Sequence, residues 1–363
     1  MGDKTVKILH TGDLHLDSPL TKADKFPITR QDLRDVFYNI VELAKARNVD
    51  IVLISGDLFD NEAVSVSTRE IIINTLSKAD KIRFFIISGN HDYYKIGSVY
   101  ENALLPSNVT LFHSGKVESE YIAELDTVVY GIGLNMPNSS EHLLENFRVE
   151  DDDKINLMLF HGDLVSKNQS SDYFPVTEEE IINSGLDYLA LGHIHKATTA
   201  KKLGNTYYSY SGIPQGRGFD ELLDKGVIIG EISKNSKKFE FVKTSKKEFI
   251  IKEIDVSNAS MIYEISDLIK EEITNKNNIY RFLLVGSVNK NLSINTIKIA
   301  SSLDLPYVEI EDNTTIKEDV HSLMQENTLK GLFVKNMLSQ LEENSDDKRY
   351  ENALKIGLEA LSK

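Results

Sequence analysis

Short apolar runs alternate with amphipathic stretches through the first 200 residues, and most of the runs end in loops rich in Gly, Asp, Asn and His. This alternation restricts the chain to a layered α/β fold. Strand-like runs are Val6–His10, Ile51–Ser55, Ile82–Ser88, Val128–Ile132, Asn156–Phe160 and Leu186–Leu191. The stretches Arg30–Arg47 and Ser67–Lys78 carry apolar residues three and four apart, as in Leu33, Phe37, Ile40, Val41 and Ala44, which is the helical period.

Beyond residue 200 the pattern changes twice. Thr206–Ser211, Gly226–Ile232 and Lys238–Thr244 read as antiparallel strands joined by Gly- and Lys-rich turns. After Asp255, a helix (Met261–Glu271), a strand (Arg281–Ser287), a weaker helix (Ile294–Ser302) and a strand (Tyr307–Glu311) suggest a small α+β domain. Two amphipathic helices follow. Leu329, Leu332, Phe333, Met337 and Leu341 line the first, and Leu354, Leu358 and Leu361 line the second, with Glu342–Arg349 as their connection. The expected division is 1–254, 255–315 and 316–363, which suits a chain of 363 residues.

Composition narrows the chemistry. The chain has no cysteine, which excludes disulfides, thiolate metal sites and cysteine nucleophiles, and it fits a reducing compartment. No run reaches the roughly 18 apolar residues of a membrane span, and the first residues lack a signal-peptide core. A cytoplasmic protein without a membrane partner is expected. The formal net charge of −15 opposes a nucleic-acid substrate, although carboxylates that coordinate metal would account for part of it.

Five motifs carry the chemistry: Asp13-Leu-His15, Gly56-Asp57-Leu-Phe-Asp60, Gly89-Asn90-His91-Asp92, His161-Gly162 and Gly192-His193-Ile-His195. They hold five of the nine histidines. All five fall on loops at the carboxyl ends of strands, where open α/β folds collect ligands. Two-metal phosphoester cleavage needs ions about 3.5–4 Å apart, a bridging group and a hydroxide held for in-line attack. Carboxylate, amide and imidazole ligands together suit manganese, iron or zinc better than magnesium alone. Asp57 is short, anionic and two-toothed, so it is the natural bridge. Asp13 and His15 can approach one ion together if their segment is extended with Leu14 turned away, and His193 and His195 share that spacing. Asn90 as a ligand leaves His91 free for proton transfer or charge stabilisation.

In this order the motifs resemble the calcineurin-like metallophosphoesterase superfamily. More narrowly the chain resembles the DNA repair exonuclease subfamily of SbcD and YhaO type. That match is carried by Gly12-Asp-Leu-His-Leu-Asp17, Ser55-Gly-Asp-Leu-Phe-Asp60, Tyr210-Ser-Gly-Ile-Pro-Gln-Gly-Arg217, Gly218-Phe-Asp-Glu221 and Lys225-Gly226, within about residues 6–250. The resemblance implies a four-layer β-sandwich flanked by helices, with a small α+β capping domain. It implies one ion held by Asp13, His15, Asp57 and His195, and another by Asp57, Asn90, His161 and His193. His91 would stand at the leaving oxygen with Asp92 orienting it, and Asp60 would lie behind the ligands. It further implies two divalent ions, usually Mn2+, a product with a 5′ phosphate, a homodimer and an SbcC-like coiled-coil ATPase partner.

Contacts to DNA are less specified. Lys237, Lys238 and Lys246 belong to a lysine-rich stretch, Lys234–Lys247, whose one acidic residue is Glu240; it is either a phosphate-contacting face or a solvated hairpin. Arg217, in a Gly-rich loop, is a further candidate for a phosphate. The terminal helices either dock on a coiled coil or fold onto the chain's own core, and the polar linker before them favours docking. The reading is a repair nuclease acting on DNA. Its alternatives are a phosphodiesterase for a small nucleotide or other small phosphodiester, and a scaffold without catalysis. The filled ligand positions oppose the last.

Overall fold

The computed structural model describes residues 4–18, 27–60, 64–101, 104–317, 320–343 and 348–361. The start of the chain, the last residue of the expected polar linker and the middle four residues of the loop expected between the terminal helices lie outside these. The chain forms two compact units: residues 1–250 with 276–280, and residues 251–275 with 281–363. Residues 281–363 thus fall into one unit, where the sequence suggested a break near 315.

The first unit begins β1 (Val6–Thr11), α1 (Arg30–Ala46), β2 (Ile51–Ser55), α2 (Val66–Ser77), β3 (Arg83–Ile87), β4 (Val109–Phe112), β5 (Glu118–Ile122) and β6 (Thr127–Gly131). It continues with β7 (Ile155–His161), β8 (Leu164–Val165), β9 (Val176–Thr177), α3 (Glu178–Ser184), β10 (Tyr188–Gly192), β11 (Lys201–Leu203), β12 (Thr206–Tyr210), β13 (Gly226–Ile232) and β14 (Lys237–Lys243). One sheet has the order β14-β13-β1-β2-β3-β4, the other β11-β12-β10-β7-β6-β5. Strands β1 to β4 run parallel, as do β6, β7, β10 and β12.

Alternate residues of each central strand face opposite ways, and both faces are apolar because both are covered. Ile8, Ile51, Leu53 and Phe85 of one sheet meet Leu157, Leu159 and Ala190 of the other in a shared core. On the outer face of the first sheet, Leu9, Val52 and Phe84 pack with Leu33, Phe37 and Ile40 of α1. On the outer face of the second, Met158, Leu189 and Leu191 pack with Ile181 of α3. The unit is therefore the four-layer sandwich that the motifs implied.

Helix starts are fixed by reciprocal caps. Thr29 accepts from Asp32 N while Asp32 accepts from Thr29 N at 2.9 Å, and Thr177 and Glu180 repeat the arrangement at α3. The expectation of one antiparallel group over 206–244 is corrected. Strand β12 runs parallel to β10 in the second sheet, whereas β13 and β14 extend the first sheet beside β1.

The second unit takes in most of β15 (Phe249–Asp255), then α4 (Ile262–Glu271), β16 (Ile279–Val285), β17 (Ser287–Val288), α5 (Thr296–Ser301), β18 (Val308–Asp312), β19 (Thr315–Ile316), α6 (Val320–Met324), α7 (Leu329–Glu343) and α8 (Lys348–Leu361). Strands β15, β16 and β18 form one small sheet. In α7 the residues turned inward are Gly331 and Val334, while Leu329 and Leu332 are exposed. Helix α8 approaches closely at Gly357, where an added Cβ would stand 2.0 Å from the Phe333 ring. Among the described residues no helix is long and apolar enough to cross a membrane.

Candidate metal centre

The two sheets present the carboxyl ends of β1, β2, β3, β7 and β10 to one another, and the five motifs meet there. The ligand atoms of Asp13, His15 and His195 all lie within 4.8 Å of one another; so do those of Asp13, Asp57 and His161, and those of His15, Asp57 and His91.

The backbone at these loops is unusual. Asp13, His15, Asp57 and His193 have φ of 50°, 47°, 49° and 98°. Non-glycine residues avoid this region, and such strain collects at functional sites. The extended segment expected for Asp13–His15 is therefore corrected: two positive-φ residues flank Leu14, which is buried in the core. Close approach is enforced by glycine. A Cβ on Gly56 would lie 2.4 Å from His161 Nδ1, and one on Gly89 would lie 2.2 Å from Asp57 Oδ1.

The donor set is arranged for cations. His161 Nδ1 lies 2.9 Å from the Ser55 carbonyl, which fixes the proton on that nitrogen and turns the Nε2 lone pair to Asn90 Oδ1 at 2.8 Å. His193 Nδ1 approaches the same amide oxygen at 3.1 Å. His195 Nδ1 lies 3.1 Å from Glu221 Oε1, and His15 Nδ1 lies 2.9 Å from Asp60 Oδ1, although off the line of the ring N–H. Held this way, His15 Nε2 and His195 Nε2 face each other at 3.1 Å. Two imidazole nitrogens this close either share a proton as an N–H···N hydrogen bond or, both neutral with lone pairs inward, hold a cation together. Carboxylate and carbonyl groups behind metal-binding histidines supply this orientation.

Asp57 joins the two clusters. Its Oδ2 lies 3.5 Å from His161 Nε2 and 3.9 Å from His15 Nε2, while Oδ1 accepts from His91 N at 2.9 Å. Burial alone would raise the Asp57 pKa; the His161 imidazolium and its hydrogen bond, foremost among the neighbouring histidines, reverse this and hold it well below the ordinary carboxylate range. Burial likewise disfavours the His161 imidazolium, yet Asp57 and then Asp13 push its pKa up to about 9. Without an ion, a proton is the cation that this cluster takes up. The residues fit two divalent ions with Asp57 between them.

Behind the ligands, Arg217 ties two carboxylates together. Its Nη2 donates to Glu221 Oε1 at 2.6 Å and its Nη1 to Asp60 Oδ1 at 3.3 Å. The role expected for Arg217, meeting a phosphate directly, is corrected: the guanidinium is mostly buried and already holds the partners of His15 and His195. Glu221 had no role assigned from sequence, although it lies in the Gly218-Phe-Asp-Glu221 stretch. Asp17 was also missed. It accepts from Ser65 N at 2.7 Å and from Thr68 Oγ1 at 2.7 Å, so it ties the first loop to the start of α2.

Asp92 is placed differently from expectation. Its carboxylate accepts from Gly89 N at 2.7 Å, Phe59 N at 3.0 Å and Tyr100 Oη at 2.6 Å, so it clamps two metal loops instead of orienting the His91 ring. Burial, then the Asp57 charge, pushes its pKa up to about 6. His91 stands edge-on to His15, with Nδ1 3.9 Å from Asp60 Oδ1 and 45% of its side chain exposed.

The two strand lysines separate from the centre. Lys237 and Lys238 pair in register with Ile232 and Glu231, which face Val6 and Lys7 at the amino end of β1. Five strand rises, about 17 Å, divide that end from Thr11. Lys237 also ion-pairs with Asp187 at 3.0 Å. Lys246 is drawn to Asp35 on α1. For Lys237 and Lys238 the expectation is corrected; Lys246 N donates to Gln215 Oε1 at 2.7 Å, two residues from Arg217.

Comparison with known proteins agrees with this geometry. The chain matches the model of the calcineurin-like phosphoesterase family over residues 6–197. It is 26% identical to the uncharacterized metallophosphoesterase YhaO of Bacillus subtilis (strain 168) over 273 residues, 72% of this chain and 66% of that one, just under two thirds of its length. It is 25% identical to the DNA double-strand break repair protein Mre11 of Sulfurisphaera tokodaii, over 86% of this chain and 82% of that one. Similarity to Mre11 of Saccharolobus solfataricus is 24% over 94% and 92%. The family match covers more than half of the residues and includes all five motifs, so the chain belongs to the calcineurin-like phosphoesterases.

Proposed function

We propose that this phosphoesterase is a two-metal phosphodiesterase acting on DNA. The clustering of Asp13, His15 and His195 and of Asp13, Asp57 and His161, with Asp57 within reach of both, carries the metal reading. The DNA reading draws on the Mre11 proteins, whose similarity runs through both units and well beyond the catalytic motifs.

Two divalent ions, Mn2+ in this proposal, supply charge stabilisation for the phosphoryl oxygens and an activated water when bound. The rest belongs to the chain. Asp13, His15, Asp57 and His195 would hold one ion, and Asp57, Asn90, His161 and His193 the other. His91, open to solvent beside the centre, would donate a proton to the leaving oxygen. Tyr173 lies with its ring centroid 4.9 Å from that of His193 and stays 43% exposed. Phe174, at φ 45°, turns inward and leaves the Tyr173 ring outside. A base stacked there would contribute about 1–3 kcal/mol. Tyr173→Ala should raise KM for DNA about tenfold while kcat changes little, as steady-state kinetics would reveal; a loss confined to kcat would contradict stacking.

The test is degradation of end-labelled linear DNA, single- and double-stranded, with and without manganese. Metal-dependent loss of label is expected. His91→Ala should lower its rate about 10²–10⁴-fold, the ordinary span for a general acid. Intact DNA, with bis-p-nitrophenyl phosphate still hydrolysed, would favour a small phosphodiester, the reading that the net charge of −15 supports. A homodimer and a coiled-coil ATPase docked on α7 and α8 complete the proposal. Its support is the exposed Leu329, Leu332 and Ile356, and co-purification of the chain with such an ATPase would test it.

A further inference from the structure

A cavity with a largely apolar lining and a few cationic and hydroxyl groups lies beside the segment that follows His195. It encloses about 380 Å³ between Lys196–Thr199, the residues directly after His195, and Leu223–Lys225 with Phe241. Consecutive Cα atoms are about 3.8 Å apart, so one wall of this cavity begins where the metal ligands end.

Lys225 distinguishes this cavity from an ordinary surface dent. The residue is 5% exposed, yet its ammonium makes no hydrogen bond or ion pair among the described residues. Buried lysines are rare without a partner. The nearby carboxylate is Glu221, which the Arg217 guanidinium and His195 already engage. Asp224, the acidic residue in the cavity wall, is paired with Lys243. Lys225 is therefore a desolvated cation without a matched anion. Burial lowers its pKa, and an arriving anion would oppose that.

The walls add donors of the same kind. Lys196 is exposed at the rim. Thr198 Oγ1 accepts from Tyr210 N at 3.0 Å, which leaves its O–H to donate elsewhere. Gly212, at φ 67°, permits this close passage, since a Cβ there would lie 2.5 Å from Ala197 N. Leu223 also has positive φ, 77°, in a branched residue that is disfavoured there. A positive-φ leucine, a largely buried lysine and two further donors belong to the walls of one small space.

We propose that this cavity is a phosphate subsite, in which Lys225, Lys196 and Thr198 hold a substrate phosphate flanking the one to be cut. The identity of the phosphate as part of a polynucleotide rests on the DNA reading. The site would set the register of the strand over the ions and favour substrates with more than one phosphate.

The test measures binding, so it does not depend on cleavage. Manganese-loaded protein is titrated with phosphorothioate-linked dithymidine, either without a terminal phosphate or with one at the 5′ or the 3′ end. The wild-type chain should bind one phosphorylated form about tenfold more tightly than the bare form. Lys225→Met should abolish that preference, Lys225→Arg should keep it within threefold, and Lys196→Ala should weaken it without changing the fold. Equal binding of all three forms by the wild type, or an undiminished preference in Lys225→Met, would overturn the proposal. Absent preference together with Lys225-dependent thermal stabilisation by inorganic phosphate would assign the cavity to a free ion, and would overturn the substrate role. Failure to cleave DNA, with the preference present, would count against the nuclease reading alone.

Discussion

Asp57→Asn should fold, retain fewer than two divalent ions per chain, and lose about three orders of magnitude in kcat toward any phosphodiester. The carboxylate is buried between His161 and His15, and its Oδ2 is the atom within reach of both clusters. Asparagine keeps the shape and the acceptor for His91 N, so the loop stays in place. It removes the negative charge that draws two cations together. Metal ions supply several kcal/mol of charge stabilisation to such reactions, and each 1.36 kcal/mol is tenfold in rate. The checks are metal analysis after dialysis and hydrolysis of bis-p-nitrophenyl phosphate. Full metal content with unimpaired turnover would remove Asp57 from its bridging position.

Gly192→Ala should be the most destabilising small substitution near the site, by roughly 3 kcal/mol or more, because overpacking here cannot relax into open space. A Cβ at that position would lie 1.9 Å from the Ser55 carbonyl oxygen and 2.8 Å from His161 Nδ1. That carbonyl fixes the His161 tautomer, so separating the strands would also misdirect a ligand. Denaturant melts should register a large fall in midpoint, and metal affinity should fall with it. Gly97→Ala is the control, since no atom lies within 4 Å of its added Cβ; its φ of 85° still imposes the milder cost of an alanine in the left-handed region. Equal midpoints for the Gly192 and Gly97 variants would contradict the packing argument.

The sequence made the ligands legible because each lies at, or within a few residues of, the end of a strand whose apolar run is plain. Ile51–Ser55 and Gly56-Asp57 illustrate this: a fully buried strand is followed by a glycine that lets His161 approach. What stayed hidden were partners set by tertiary contact. Glu221 meets His195 across 26 residues, and Arg217 meets Asp60 across 157, so no local spacing announces either pair. The lysines of β14 looked like a phosphate face because sequence gives their charge and not the end of the sheet they occupy. Strand β12 looked antiparallel to β13 because both are short and apolar. Only the pairing of Tyr207 with Tyr188 moves it into the other sheet.

The central claim is that this chain holds two adjacent divalent ions joined through Asp57. Its most direct test is manganese loading followed by metal counting and electron paramagnetic resonance. Two manganese ions per chain with a spin-coupled spectrum, reduced to an uncoupled signal in Asp57→Asn, are predicted. A single bound ion, or two ions without coupling in the unaltered protein, would contradict the account.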